Sequence, residues 1–115
     1  MQPKDLVEGI IRSVLQENFT HYENNLVAPD ADLTQLTPEW RAGVAAFRKL
    51  DSHEKELMLR FLRLVAKDSI SSVLAILDGV VFLPGQEDQL VLKYGDTLLS
   101  GDLQDIFLEQ MESED

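Results

Sequence analysis

The sequence contains no cysteine, which excludes disulfide bonds, thiolate nucleophiles, zinc ribbons and iron–sulfur clusters. Long apolar runs are absent as well, and none approaches the roughly 20 residues that a membrane-spanning helix needs. Charges are spread through the first 19 residues, which argues against a secretory signal peptide. These absences predict a cytoplasmic protein that does not enter a membrane.

Motifs of known chemistry are also missing. The sequence has no HExxH, GxGxxG or GxSxG pattern and no phosphate-binding GxxxxGKS/T pattern. Its two histidines, His21 and His53, lie on different predicted elements without a partner at metal-ligand spacing, and we interpret them as surface or helix-capping residues. We therefore expect no catalytic residues, no metal and no cofactor, and we predict that the protein is not an enzyme.

Acidic residues, by contrast, are abundant. The 115 residues include 21 acids and 10 bases, with a formal net charge of −11. Residues 80–115 hold nine of these acids and a single base, Lys93, so this segment alone carries −8. Such a field repels nucleic acid and anionic membranes and attracts basic proteins, although solubility alone is the simpler explanation. Hydrophobic residues make up 44%, which is enough for one folded domain over residues 1–115.

Three helices are predicted before residue 79. Apolar residues recur at three- and four-residue steps in the first segment. The motif TPEW predicts the start of a second helix, because proline suits the first helical position. The motif DSHE predicts the start of a third, with Asp51 and Glu54 as a capping box. Residues 23–36 lack a period and are expected to form an irregular connection. The three expected helices cover residues 3–22, 38–49 and 52–78.

The third helix is apolar around most of its circumference, which is typical of a central helix that is covered on several sides. At about 100° per residue its polar side chains form one narrow stripe, and Asp78 lies on this stripe five turns beyond Arg60. We therefore expect Asp78 at the polar surface, followed by Gly79 as the residue that ends the helix. Ser69 and Ser72 fall within the apolar arc, where small side chains would let another element approach closely.

Asp68 is the carboxylate that the helical pattern places at the flank of the apolar arc, about one turn from Ser72. A buried acid needs hydrogen-bond partners, because an unpaired buried charge is costly. We interpret Asp68 as a structural acid that holds a loop or a strand end. A tuned acid within a pocket is the functional alternative.

The last third of the chain is predicted to contain short strands. Val80–Leu83 is β-branched and aromatic, residues 90–94 alternate, and Gly95–Asp96 suits a type II′ hairpin turn before a return strand at residues 97–99. The whole chain is thus expected to have an α+β fold. It would consist of three N-terminal helices with a long central helix, a small antiparallel β-meander and a short C-terminal helix.

The expected C-terminal helix is amphipathic, with Leu103, Phe107 and Met111 on its apolar face. Asp102 is the expected capping residue of this helix. The opposite face is acidic, and like charges there repel one another by roughly a few tenths of a kcal/mol per pair. We interpret it either as an ordinary solvated surface or as a docking surface for a basic protein. The candidate partner-binding residues are Asp102, Asp105, Glu109 and Glu112.

The segments LDSHEKELMLRFLRLVAKDSISSVLAILDGV and LVLKYGDTLLSGDLQDIFLEQ, joined by an acidic loop, cover about half of the chain. Their order resembles that of short bacterial proteins of uncharacterised function. Those proteins have a helical N-terminal part, a long helix with an Asp followed by small residues, and a β-hairpin near the C-terminus. The resemblance implies a bacterial origin and an α+β domain, but no activity and no site residues.

The composition and the missing motifs favour a small acidic protein that acts by binding another protein. It would be an inhibitor of the immunity or antitoxin type, or an accessory subunit, with a basic protein rather than nucleic acid or a membrane as its partner. Two alternatives stay open. One is a homo-oligomeric structural protein in which a homodimer covers the apolar arc of the long helix, and the other is an enzyme with an unrecognised carboxylate site.

Overall fold

The computed structural model describes residues 1–27 and 36–114 and has the α+β fold that the sequence predicts. Helices dominate it, and a two-stranded hairpin precedes the last of them. Across these residues no helix is long and apolar enough to cross a membrane. The elements are α1 (Pro3–Ile10), a π-helical segment (Ile11–Asn18), α2 (Phe19–Val27), α3 (Pro38–Arg48), α4 (Ser52–Leu77), β1 (Lys93–Tyr94), β2 (Thr97–Leu98) and α5 (Leu103–Glu114).

The first predicted helix is longer and less regular than its sequence period indicates. α1, the π-helical segment and α2 follow one another without a break, and Val7, Ile11 and Leu15 are buried at four-residue steps. Four residues of an ideal α-helix turn through about 400°, so side chains at four-residue steps shift by about 40° around the helix each time. The wider turns of a π-helix reduce this shift and keep the buried side chains on one side. The predicted irregular connection begins too early, because α2 extends to Val27; residues 28–35 lie outside the described residues.

α3 packs against α2 through the apolar side that its sequence predicts. Val44 and Phe47 are buried, and Trp40 is half-buried. The Trp40 ring stacks on that of Tyr22 with 4.7 Å between the ring centroids and 24° between the planes. Stacked rings of this kind add to the free energy gained from burial, so the pair joins α3 to α2.

α4 begins and ends where local sequence signals place its ends. The Asp51 carboxylate accepts the backbone N–H of Glu54 at 2.8 Å, and the Glu54 carboxylate accepts that of Asp51 at 3.0 Å. This capping box satisfies two donors that would otherwise be unpaired at the helix start. At the other end Asp78 is the C-cap residue, and Gly79 adopts the left-handed φ of +77° that closes many helices.

The hairpin forms at the predicted turn. β1 and β2 are antiparallel, with Lys93 opposite Leu98 and Tyr94 opposite Thr97. Gly95 has a φ of +57°, as the first residue of a type II′ turn requires. Each strand has only two residues, so the meander is smaller than predicted.

The predicted first strand, Val80–Leu83, is wrong, because this segment forms a loop. The backbone N–H groups of Val80 and Val81 both donate to the carbonyl of Ala75, at 3.0 and 3.3 Å. The N–H of Leu83 donates to the side-chain oxygen of Gln86 at 2.9 Å. These N–H groups form hydrogen bonds at the C-terminal end of α4 and within a turn, so they do not pair with a neighbouring strand.

The core lies where α1, the π-helical segment, α4 and α5 meet. α4 contributes to it mainly through its C-terminal half, where Leu74 is almost fully buried. The predicted apolar face of α5 is confirmed, because all three of its residues are buried. The buried cluster consists of Val7, Ile11, Leu15, Leu74, Leu103, Phe107 and Met111.

Candidate functional site

Asp78 is buried, with an exposed fraction of 7%, so its predicted position at the polar surface is wrong. One carboxylate oxygen, Oδ1, accepts the backbone N–H of Gly101 at 2.7 Å and that of Leu103 at 3.0 Å. The other, Oδ2, accepts the N–H of Gln104 at 2.8 Å. The carboxylate therefore binds the first two N–H groups of α5 and the N–H of Gly101 just before the helix, where the helix dipole also favours a negative charge.

The cap of α5 thus comes from the end of α4 and not from the side chain of Asp102. The Asp102 side chain is exposed, and its backbone carbonyl accepts the N–H of Ile106 at 3.0 Å. Gln104 adds a second link to α4 by donating from Nε2 to the hydroxyl of Ser71 at 3.0 Å. Because backbone donors engage both oxygens of Asp78, a structural role accounts for this buried charge.

Asp68 lies in a different environment from the one its predicted role requires. It is exposed on α4, and the hydroxyl of Ser72 donates to its backbone carbonyl at 2.9 Å. The apolar side chains next to Asp68 on α4, Leu64 and Val65, are themselves exposed, so no other element among the described residues covers this part of the helix. The carboxylate that holds the start of another element is Asp78, ten residues further along α4.

The four acids proposed as partner-binding residues all lie exposed on one side of α5. They point away from the buried face formed by Leu103, Phe107 and Met111. α5 contains no basic residue, so this face is uniformly negative. The structure therefore presents the acidic face to solvent, where long-range attraction to a basic surface can act.

An exposed apolar loop lies next to this acidic helix in the chain. Val80–Leu83, called the apolar loop below, has side chains that are between 47% and 67% exposed. Its neighbourhood is held by side-chain hydrogen bonds: Gln89 Nε2 donates to the carbonyl of Gly79 at 3.2 Å, and Gln86 Nε2 to that of Asp88 at 2.9 Å. Sequence reasoning missed this surface because β-branched composition made the segment resemble a strand.

α4 exposes a second apolar surface on the side away from the core. Five large apolar side chains there are between 40% and 59% exposed. The prediction that α4 is a central helix covered on several sides is therefore wrong for its N-terminal half. This surface, called the α4 face below, consists of Leu57, Met58, Phe61, Leu64 and Val65.

Two apolar grooves run beside α4. One, of about 250 Å³, lies between α4 and the helical stretch of residues 14–26, with Phe19, Tyr22 and Leu62 in its wall. The other, of about 300 Å³, lies between α3 and α4. Neither groove is lined by a histidine or by Asp68. Their walls suit apolar side chains of a partner better than the polar groups of a reacting substrate.

The histidines occupy separate places in the fold. His21 in α2 pairs through Nε2 with the side-chain amide of Asn25 at 3.2 Å, whereas His53 is exposed in the first turn of α4. Among residues 1–27 and 36–114, no group of three or more His, Asp or Glu side chains is placed to hold a metal ion.

Comparisons with protein-family models, with curated proteins and with solved structures found no match for this chain. The resemblance to short bacterial proteins therefore stays a prediction. The function has to be argued from the surfaces described above: the apolar loop, the acidic face of α5 and the α4 face.

Proposed function

We propose that this chain is a non-catalytic protein that binds a basic protein partner, as an inhibitor or an accessory subunit, through the apolar loop and the acidic face of α5. The observation that carries the proposal is the apolar loop, in which four consecutive apolar side chains are exposed. Burial of apolar area contributes about 25 cal/mol per Å², so a partner that covers the loop gains affinity from it. Exposed apolar surface with a polar rim is typical of protein interaction sites.

The charges around the loop select the kind of partner. Residues 80–115 carry nine acids and one base, and the acids of α5 face solvent. Long-range attraction to a basic surface speeds encounter, and the apolar loop then supplies the close contact. Nucleic acid and anionic membranes are repelled by the same field. The fitting partner is a protein with an apolar pocket inside a basic rim.

The experiment starts from capture with the full chain as bait, followed by purification of the captured protein and titration of the two pure components. The proposal expects one-to-one binding to a basic protein, with an affinity that falls about tenfold or more between 50 and 300 mM salt, because salt screens exposed charges. Binding that is insensitive to salt, or a captured partner that is not basic, would overturn it.

A matched pair of variants tests the apolar loop. Phe82→Ser should weaken binding by about thirtyfold, the effect of losing an apolar anchor worth about 2 kcal/mol. Val27→Ser, at an equally exposed apolar position on α2, should bind the partner as the natural chain does. If no captured protein depends on Phe82, the proposal is wrong.

A second pair tests the acidic face. Asp105→Asn combined with Glu109→Gln should slow association and reduce its salt dependence, because rim charges act mainly on the association rate. Glu17→Gln combined with Glu39→Gln removes the same number of exposed charges from the N-terminal part of the chain. Equal loss of rate in both double variants would show that net charge acts alone, without a docking face on α5.

A further inference from the structure

The α4 face raises a question that is independent of the proposed function: what covers it. Phe61 is 59% exposed in the middle of this face, and Leu64 and Val65 are 50% and 47% exposed one turn later. Apolar side chains at such spacing along a helix ordinarily mark the side that packs on another element. In the described parts of the chain, that side of α4 is left open over more than two turns.

The molecule is more extended than a compact monomer of its mass. Its accessible surface is 8,007 Å², whereas a compact monomer of 13.0 kDa exposes about 6,300 Å². Its radius of gyration is 17.6 Å, whereas a compact domain of this length has about 13 Å. This excess surface is spread over the molecule, and the α4 face is the part of it where five large apolar side chains of one helix are exposed together.

The charge distribution makes a second copy of this chain an acceptable occupant. α4 carries four bases and three acids, although the chain as a whole has a net charge of −11. The acid-rich α5 packs on the core side of α4, next to Leu74, so it lies away from the α4 face. Asp68 lies within the α4 face and Arg60 lies at its edge beside Leu64, so two copies that meet through these faces can place unlike charges next to each other.

The sizes of the side chains along α4 indicate the direction of pairing. The N-terminal half of its open side carries large residues, among them Leu57 and Phe61, whereas the C-terminal half carries Ser69 and Ser72. The hydroxyls of these serines already donate to backbone carbonyls four residues earlier, at 2.8 and 2.9 Å, so they need no partner across an interface. An antiparallel pair places the large half of each helix against the small half of the other.

We infer that two copies of this chain form an antiparallel homodimer through their α4 faces, with the two-fold axis near Leu64 and Val65. With the two-fold axis at this position, Leu57 of one copy lies level with Ser72 of the other. Measured along the helix axis, Asp68 of one copy and Arg60 of the other are within about 2 Å of the same level. Both lie on the same side of the helix pair. This pair of opposite charges, one within the α4 face and one at its edge, then fixes the register.

Introduced cysteines test this geometry directly, because the natural sequence has none. Val65→Cys lies near the two-fold axis and should form a disulfide-linked dimer under mild oxidation. Leu57→Cys alone should not, because its two copies are about 22 Å apart along the axis, beyond the reach of a disulfide. The combination of Leu57→Cys with Ser72→Cys should cross-link again. A parallel pair, in contrast, would cross-link Leu57→Cys as readily as Val65→Cys, which would overturn the inference.

The mass in solution provides the second test. Light scattering on the full chain at about 100 μM should give twice the 13.0 kDa of one chain, and Phe61→Asp should return it to the mass of one chain. Leu98→Asp, which places the same charge at an exposed apolar position on β2, should leave the dimer intact. Circular dichroism should show equal helix content in all three proteins. A natural chain that stays monomeric, or a dimer that persists in Phe61→Asp, would overturn the inference without affecting the proposed basic partner.

Discussion

Replacement of Asp78 gives the sharpest test of how the C-terminal helix is held. The carboxylate accepts the N–H groups of Gly101, Leu103 and Gln104 at 2.7 to 3.0 Å while 7% exposed. In Asp78→Ala all three donors lose their acceptor at once. In Asp78→Asn the remaining oxygen can keep the first two, but the amide nitrogen meets the N–H of Gln104, so that two donors face each other.

The expected magnitudes follow from these bonds. A hydrogen bond to a charged group contributes about 1.5–3 kcal/mol, and removal of a helix cap alone costs about 0.5–2 kcal/mol. The three bonds share one carboxylate and are not additive, and water can enter the space that the side chain leaves. We expect a loss of about 3 kcal/mol in the free energy of unfolding for Asp78→Ala, and of about 1.5 kcal/mol for Asp78→Asn.

Urea unfolding followed by far-UV circular dichroism measures both losses through the shift of the midpoint at unchanged slope. All variants should be compared at one protein concentration, because self-association makes the midpoint concentration-dependent. The control is Glu109→Ala at an exposed position of α5, away from the α4 face, which should change the free energy of unfolding by less than about 0.5 kcal/mol. If Asp78→Ala is as stable as this control, the carboxylate does not hold α5 and the assignment is wrong.

Four further substitutions test other parts of the fold in the same assay. Asp51→Ala should lower the free energy of unfolding by about 1 kcal/mol through loss of the capping box, and no change would mean that the box contributes nothing. Gly79→Ala should lower it by more than about 1 kcal/mol, because φ is +77° and the new Cβ meets the side chain of Gln89, whereas Gly43→Ala, with open space around its Cβ, should raise it by about 0.5–1 kcal/mol. Equal effects of the two glycine changes would contradict this account. Phe107→Ala should cost about 3–5 kcal/mol, and a cost below about 1 kcal/mol would show that α5 is not part of the core.

The helix ends were predictable because their signals are local. Asp51 and Glu54 lie three residues apart, and their hydrogen bonds form within one turn. Gly79 is the residue type that takes a left-handed conformation without strain, so it marks the end of α4 from sequence alone. The hairpin turn at Gly95 follows from the same property.

Val80–Leu83 was mispredicted because strand propensity has no effect without a partner strand. The side chains suit a sheet, but the N–H groups of Val80 and Val81 are close enough to the end of α4 to donate to Ala75. Hydrogen bonds to the end of α4 satisfy these donors. They cost less conformational entropy than pairing with a strand that is distant in sequence. The four side chains stay exposed as a result, and they form the surface on which the proposed function rests.

The helical pattern of the sequence could not show which of Asp68 and Asp78 is buried. A wheel gives the direction of each side chain around one helix, but it does not show which side another element will cover. The donors that bury Asp78 lie 23 to 26 residues later in the chain. Only the packing of α5 on α4 brings these N–H groups to the carboxylate.

The sequence by itself therefore determined where α4 begins and ends, which face of α5 is apolar, and how the acids concentrate in residues 80–115. Each of these depends on residue types and short spacings. The tertiary structure decided which carboxylate is buried and which apolar side chains remain uncovered, at the apolar loop and on the α4 face. These outcomes depend on where distant elements come to lie, because burial is a property of the assembled surface and not of any one segment.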